Sequence, residues 1–211
     1  MRVRGEWLQG DTSPGRTAVR VMTDTLLERH AEALRLFGER VREVRGDQWG
    51  EPTPCTEWNV RELVNHVTAE QLWIPPLVTE GRTVGELEGR FSGDVLGDDP
   101  VAAWDRASAA AHAAFAASGA LDRTVRLSYG PALGSAYCSE LTADCVVHTW
   151  DLARGIGAED RLPDSLVEFS IKEIMPYADG LAASGAYAEP VEVPAGADAQ
   201  TRLLAMVGRE G

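Results

Sequence analysis

In the stretch SAYCSELTADCVVHTWDLARGIG, Asp144 and His148 stand one helical turn apart, so a carboxylate and an imidazole look out from the same side of one helix. Tyr137, Leu141, Cys145, His148 and Leu152 step along that helix by threes and fours, which makes that side the inward one. An inward carboxylate needs compensation, by a hydrogen-bonded cation or by a metal ion. An Asp and a His at i and i+4 can both reach one ion, and a third donor from a facing helix would complete an open site. His66, in CTEWNVRELVNHV, sits beside the apolar stripe of Leu63, Val64 and Val67 and is the candidate third donor. Spacing alone leaves two readings open. One is a metal site of His66, Asp144 and His148; the other is an Asp–His hydrogen bond within one helix beside an ordinary core histidine.

Other residue types compete less well. His30 and His112 fall on largely apolar faces with no acidic or histidine neighbour at i±4: Leu26 and Leu34 flank the first, Ser108 and Ala116 the second. Cys55, Cys138 and Cys145 could ligate zinc, yet a buried cysteine more often behaves as a small hydrophobe. Odd in number, widely spaced and without a CxxC pair, they suit free thiols in a reducing cytoplasm. GPALGS lacks the lysine and spacing of a phosphate loop, and there is no HExxH or GxSxG. Trp58, Trp150 and Asp151 read first as packing plus a helix-end hydrogen bond. The alternative for Asp151 is an acceptor that holds a ligand imidazole in one tautomer.

These residues need helices to carry them. Leu27, His30, Leu34, Phe37, Val41 and Val44 form the seam of a first helix that ends near Gly46. Asn59 with Glu62 makes a capping box for a second, which Pro75 and Pro76 should kink or end. The glycine-punctuated segment 79–98 reads as a connecting loop with at most a short helix, and its residues from Glu80 to Asp98 are expected to shape substrate choice. Asp99 caps a third helix with Pro100 in its first position, and Trp104, Ala111 and Phe115 share a face of it. RTVRLSYG alternates as a short strand, and the fourth helix should close at Gly155. A fifth starts near Pro163; PVEVPAG is a second strand candidate, and Asp198 caps AQTRLLAMVG. The expectation is a mainly all-α bundle with a minor two-stranded β element near the C-terminus.

At 211 residues the chain can bury a self-sufficient core. Residues 1–22 are expected to be a disordered N-terminal extension, with charges but no apolar signal core, and 23–211 a single domain. No apolar run approaches the roughly 20 residues of a membrane span. A net charge of −13 without a basic stripe argues against nucleic acid as a partner.

Taken together, PTPCTEWNVRELVNHV, DCVVHTWDLARGIG and the ending VEVPAGADAQTRLLAMVGR resemble the DinB-like superfamily, in particular the branch similar to the metal-binding domain of mycothiol-dependent maleylpyruvate isomerase. The resemblance spans roughly residues 23 to 209. It implies a four-helix-bundle core with an extra helix, holding a divalent metal, zinc first and nickel as the alternative. The ligands it implies are His66 from the second helix and Asp144 and His148 from a later one. The family more often has Glu where this chain has Asp144, which puts the reach of that ligand in question.

By the same resemblance the chain is expected to be a metal-dependent enzyme, cytoplasmic by its free cysteines and actinobacterial by its many Ala, Gly and Arg and few Lys. It would use a low-molecular-weight thiol, mycothiol or similar, as a metal-activated nucleophile. The reaction would be of S-transferase or isomerase type, with no catalytic residue beyond the metal ligands. Its partners would be a small-molecule electrophile and the thiol, its state a monomer or homodimer. The short tail after the fifth helix, in place of the isomerase's larger C-terminal domain, favours S-transfer or another reaction over maleylpyruvate isomerisation. The alternatives are a non-catalytic metal- or ligand-binding DinB-like protein, or a metal-dependent hydrolase acting through activated water.

Overall fold

Each helix begins and ends where local chemistry dictates, and the bundle follows from how their apolar faces meet. The structure, a computed structural model, describes residues 14–178, 180 and 187–211, with side chains from residue 25 onward. Helix α1 (Pro14–Glu43) buries the expected seam, His30, Leu34, Phe37 and Val41, and ends three residues before Gly46. Residues 14–22 of the expected extension are helical, whereas 1–13 lie outside the described residues.

In α2 (Val60–Val78), Asn59 Oδ1 accepts from Glu62 N at 3.0 Å and Glu62 Oε2 accepts from Asn59 N at 2.9 Å, which completes the capping box. Pro75 and Pro76 lie inside α2, which runs two residues past them to Val78 although neither ring nitrogen can donate to a carbonyl one turn back, and Thr79 N reaches Pro75 O at 2.8 Å. The segment 79–98 is a loop with one 3₁₀ turn, Gly85–Leu87, and it is tied to α2. Arg61 donates to Asp94 at 2.7 Å and to Gly97 O at 2.8 Å. Asn65 donates to Gly93 O at 2.9 Å and accepts from Val95 N at 2.8 Å.

Helix α3 (Pro100–Ala116) starts on Asp99, whose Oδ1 accepts from Ala102 N at 3.0 Å. Strands β1 (Thr124–Leu127) and β2 (Gly130–Leu133) form an antiparallel hairpin, Thr124 opposite Leu133. The second strand is thus supplied two residues after the first rather than by PVEVPAG, which forms no strand; its Val191 N bonds to Ala205 O at 3.0 Å. The hairpin leads into α4 (Gly134–Ile156) at Gly134, where any Cβ would sit 2.2 Å from Ala120 O. Gly157, at φ 67°, terminates α4 in the left-handed conformation, two residues later than the expected Gly155.

Beyond it come α5 (Asp164–Ile174) and a short 3₁₀ turn at Met175–Tyr177. The final described helix, α6 (Ala199–Met206), starts on Asp198 as expected. Helices α1 to α4 pack mutually as a four-helix core, α5 covers α4, and α6 covers α5. The core has two parts. One surrounds Phe37, Leu63, Val147 and Trp150 and extends to α5 and α6; the other surrounds Ile74, Phe115 and Leu141 beneath the hairpin. No described helix is long and apolar enough to cross a membrane.

Candidate metal centre

The packing of α2 against α4 brings His66, Asp144 and His148 to one point: one donor atom from each lies within 4.8 Å of the others. His148 is buried, and His66 and Asp144 are half-buried. The two imidazole rings meet edge to face, centroids 5.5 Å apart at 82°. Asp144 Oδ1 stands 3.4 Å from His148 Nε2, long for a hydrogen bond. Two donors each about 2.05 Å from a tetrahedral ion are about 3.3–3.4 Å apart, so this pair already has the spacing of shared ligands.

His148 is held from behind. Its Nδ1 lies 2.9 Å from Asp151 Oδ2, and because an ionised carboxylate only accepts, Nδ1 carries the proton and Nε2 faces Asp144. Asp151 is itself clasped by the buried Arg209, Nε to Oδ1 at 3.2 Å and Nη2 to Oδ2 at 2.9 Å. Asp151 is thus more than a helix-end packing residue: it accepts from the His148 imidazole, the contact that its alternative reading requires. Trp150, 2 % exposed, does pack in the core. Trp58 does more than pack beside a cap: its indole stacks on His66, centroids 4.2 Å apart at 27°.

The charges agree with the geometry. Burial disfavours a charged His148, but the carboxylates of Asp144 and Asp151 outweigh it and raise the imidazole to about 9. Burial likewise opposes the Asp144 charge, yet His148, His66 and the Tyr187 hydroxyl hold its carboxyl well below the usual range. His66 is lowered, by burial first, against the pull of Asp144 and with the help of His148, and so presents a neutral donor nitrogen. The two carboxylates therefore call for positive charge at His148 Nε2, which a proton or a divalent cation can supply.

Four contributors have no counterpart in the spacing argument. Tyr187 donates its hydroxyl to Asp144 Oδ1 at 2.8 Å, and the Arg209 guanidinium lies 5.3 Å from the centre of the Tyr187 ring. Both come from the C-terminal segment, where no periodicity marks them. Glu70 is raised to about 7, by burial first and then by Asp144 and Glu140. Its signal was available: His66 and Glu70 repeat on α2 the i, i+4 imidazole and carboxylate pairing of α4. Cys55, with His148 and Asp151, forms a second group of donor atoms within 4.8 Å, but burial pushes its thiol up to about 11. Cys138 and Cys145 are buried and pushed up as well, in keeping with the small-hydrophobe reading.

His30 and His112 lie elsewhere and meet one another, Nδ1 to Nδ1 at 3.3 Å with the rings stacked 5.5 Å apart. Outside the centre, His66 also lines an open cleft of about 610 Å³ together with Trp58, Arg61, Glu62, Phe91 and Asp94. Asp144 and His148 do not line it, so the cleft meets the centre through Trp58 and His66.

A four-helix core with two histidines and a carboxylate converging from facing helices is the arrangement expected of a DinB-like metal-binding bundle. Residues 30–153 match the family described as the mycothiol maleylpyruvate isomerase N-terminal domain, and the chain belongs to that family. It is 33% identical over 145 residues to uncharacterized proteins of Mycobacterium tuberculosis strains CDC 1551 and H37Rv, covering 66% of this chain and 72% of each relative. No solved structure matches the chain. His66, Asp144 and His148 all fall inside the matched residues; Tyr187 and Arg209 fall outside them.

Proposed function

We propose that this protein is a metal-dependent enzyme that activates a low-molecular-weight thiol, mycothiol or a similar one, for attack on a small electrophile, as an S-transferase or isomerase. The observation that carries the reading is the convergence of His66, Asp144 and His148 on one point with His148 Nδ1 already committed to Asp151. Membership in a family whose description pairs mycothiol with maleylpyruvate isomerisation supports the thiol. A divalent ion, zinc first and nickel second, would supply Lewis acidity that keeps a coordinated thiol deprotonated at neutral pH.

The chain's own residues do the rest. His66 offers a neutral nitrogen, His148 one whose Nε2 proton a bound cation would displace, and Asp144 the negative charge that would help hold the cation. Asp151 and Arg209 keep the His148 ring from turning. Trp58, stacked on His66, closes one side of that ring and forms part of the cleft through which a small molecule would approach.

Elemental analysis should find about one divalent ion per chain. Changing both His66 and His148 to Ala should abolish it, while His30→Ala and His112→Ala should leave it intact. Titrating the cobalt-substituted protein with mycothiol should then give a sulfur-to-metal charge-transfer band. Silence at millimolar thiol would favour a non-catalytic binding protein or a hydrolase instead.

A further inference from the structure

The cleft beside His66 has a charge pattern that selects among electrophiles. Glu57, Glu62 and Asp94 line it, against a single guanidinium, Arg61, which is already engaged by Asp94 and by Gly97 O. Glu57 is exposed and has no hydrogen-bond or ion-pair partner among the described residues. Arg90 lies 5.3 Å from the centre of the Phe91 ring but is not among the lining residues.

The other usual source of positive potential, the free amides at a helix start, is also spent. Val60 N bonds to Glu51 O, Arg61 N to Trp49 O and Leu63 N to Asn59 O, each at 2.9 Å, and Glu62 N to Asn59 Oδ1 at 3.0 Å. An anion entering here would find three carboxylates and no uncommitted backbone amide at the start of α2. The cleft does offer two aromatic side chains in fixed positions: Trp58, stacked on His66, and Phe91, held edge to face by Trp73 at 5.2 Å. A volume of about 610 Å³ suits a small organic molecule.

We propose that this cleft binds a flat, uncharged or cationic molecule and rejects a dicarboxylate, and that this molecule is the electrophile served by the centre. Its role as electrophile rests on the enzymatic reading above; the charge preference rests on the cleft alone.

Three molecules of one shape and different charge provide the test: benzamidine, benzamide and benzoate, titrated into the purified full chain at low salt. Binding is read from the Trp58 indole N–H resonance, assigned by its loss in Trp58→Phe. Benzamidine and benzamide should shift that resonance, and benzoate should bind at least about tenfold more weakly than benzamidine, a gap that salt narrows. Glu57→Gln with Glu62→Gln should also narrow it, because Gln at 62 keeps the capping box and removes only charge. Equal or tighter binding of benzoate, an unchanged gap in the double variant, or no shift with any of the three at millimolar concentration would each overturn the proposal. The metal and thiol experiments are read separately, so a protein that holds no ion yet shows the charge order refutes the enzymatic reading while leaving the cleft's preference standing.

Discussion

Arg209 grips both oxygens of Asp151, and the oxygen nearer its Nη2 is the one that takes the Nδ1 proton of His148. The relay runs from the last described turn of the chain to the middle of α4, and Arg209 and Asp151 are 5% and 0% exposed. The C-terminal segment is therefore part of what orients the candidate donor.

Removing the cation should strand a buried carboxylate. Arg209→Ala is expected to lower unfolding free energy by about 3–5 kcal/mol, the usual cost of breaking a buried pair from one side. Arg209→Lys, which keeps charge but loses the bidentate grip, should cost less. Burial pushes the Asp151 carboxyl up, but His148 and Arg209 outweigh it and hold it low. The pair's contribution is thus present above the ordinary carboxylate value and is lost as pH falls through the lowered one. Denaturant titrations of both variants at pH 7 and at a pH well below the ordinary carboxylate range test the size and the sign, and a loss for Arg209→Ala below about 1 kcal/mol at pH 7 would contradict the buried pair.

Asp151→Asn should weaken metal binding by roughly 10–100-fold, as removal of a carboxylate behind a ligand histidine does elsewhere. Competition against a chromophoric chelator measures it. A variant that loses stability but keeps full affinity would reduce Asp151 to a structural residue.

The acid response should have a different origin. Burial, and then His112, lower His30 to about 3, and its Nε2 has no hydrogen-bond partner. The unfolded chain therefore binds a proton that the folded chain refuses between the ordinary value near 6.5 and about 3. Stability is full above that ordinary value and falls with pH below it, by about 2 kcal/mol from pH 6.5 to 5. His30→Leu should flatten that slope. A melting temperature that falls equally for wild type and variant over this range would refute the assignment.

Helix starts were legible in the sequence because a cap is written within four residues: Asn59 with Glu62, Asp99 with Pro100, and Asp198 all begin helices as read. The Asp144–His148 spacing was legible on α4 too, but its meeting with His66 was one of two readings that spacing left open and came as what the resemblance implied. Long-range partners were not legible. Arg209 reaches Asp151 across 58 positions, and His30 reaches His112 across 82, distances over which no periodicity operates. The hairpin was half read, because β2 contains Gly130 and Pro131 and lacks the alternation that marked β1. The helix ends were read less closely: α2 runs two residues past Pro76 to Val78, and α4 closes at Gly157 rather than at the neighbouring Gly155.

Asp144 decides whether the cluster binds metal through three ligands. Its Oδ1 accepts from the Tyr187 hydroxyl at 2.8 Å and stands 3.4 Å from His148 Nε2. If it is a ligand, Asp144→Asn should weaken metal binding sharply, because the neutral amide gives up the electrostatic part of the bond. Asp144→Glu, longer by one methylene, should retain the ion. If Asp144 serves only to pair with His148 and Tyr187, the Asn variant keeps an acceptor oxygen of the same size. Metal content would then be unchanged and stability would shift by about 1 kcal/mol. Metal affinity and thermal stability measured on both variants separate the outcomes, and equal affinity in wild type and Asp144→Asn would remove Asp144 from the ligand set.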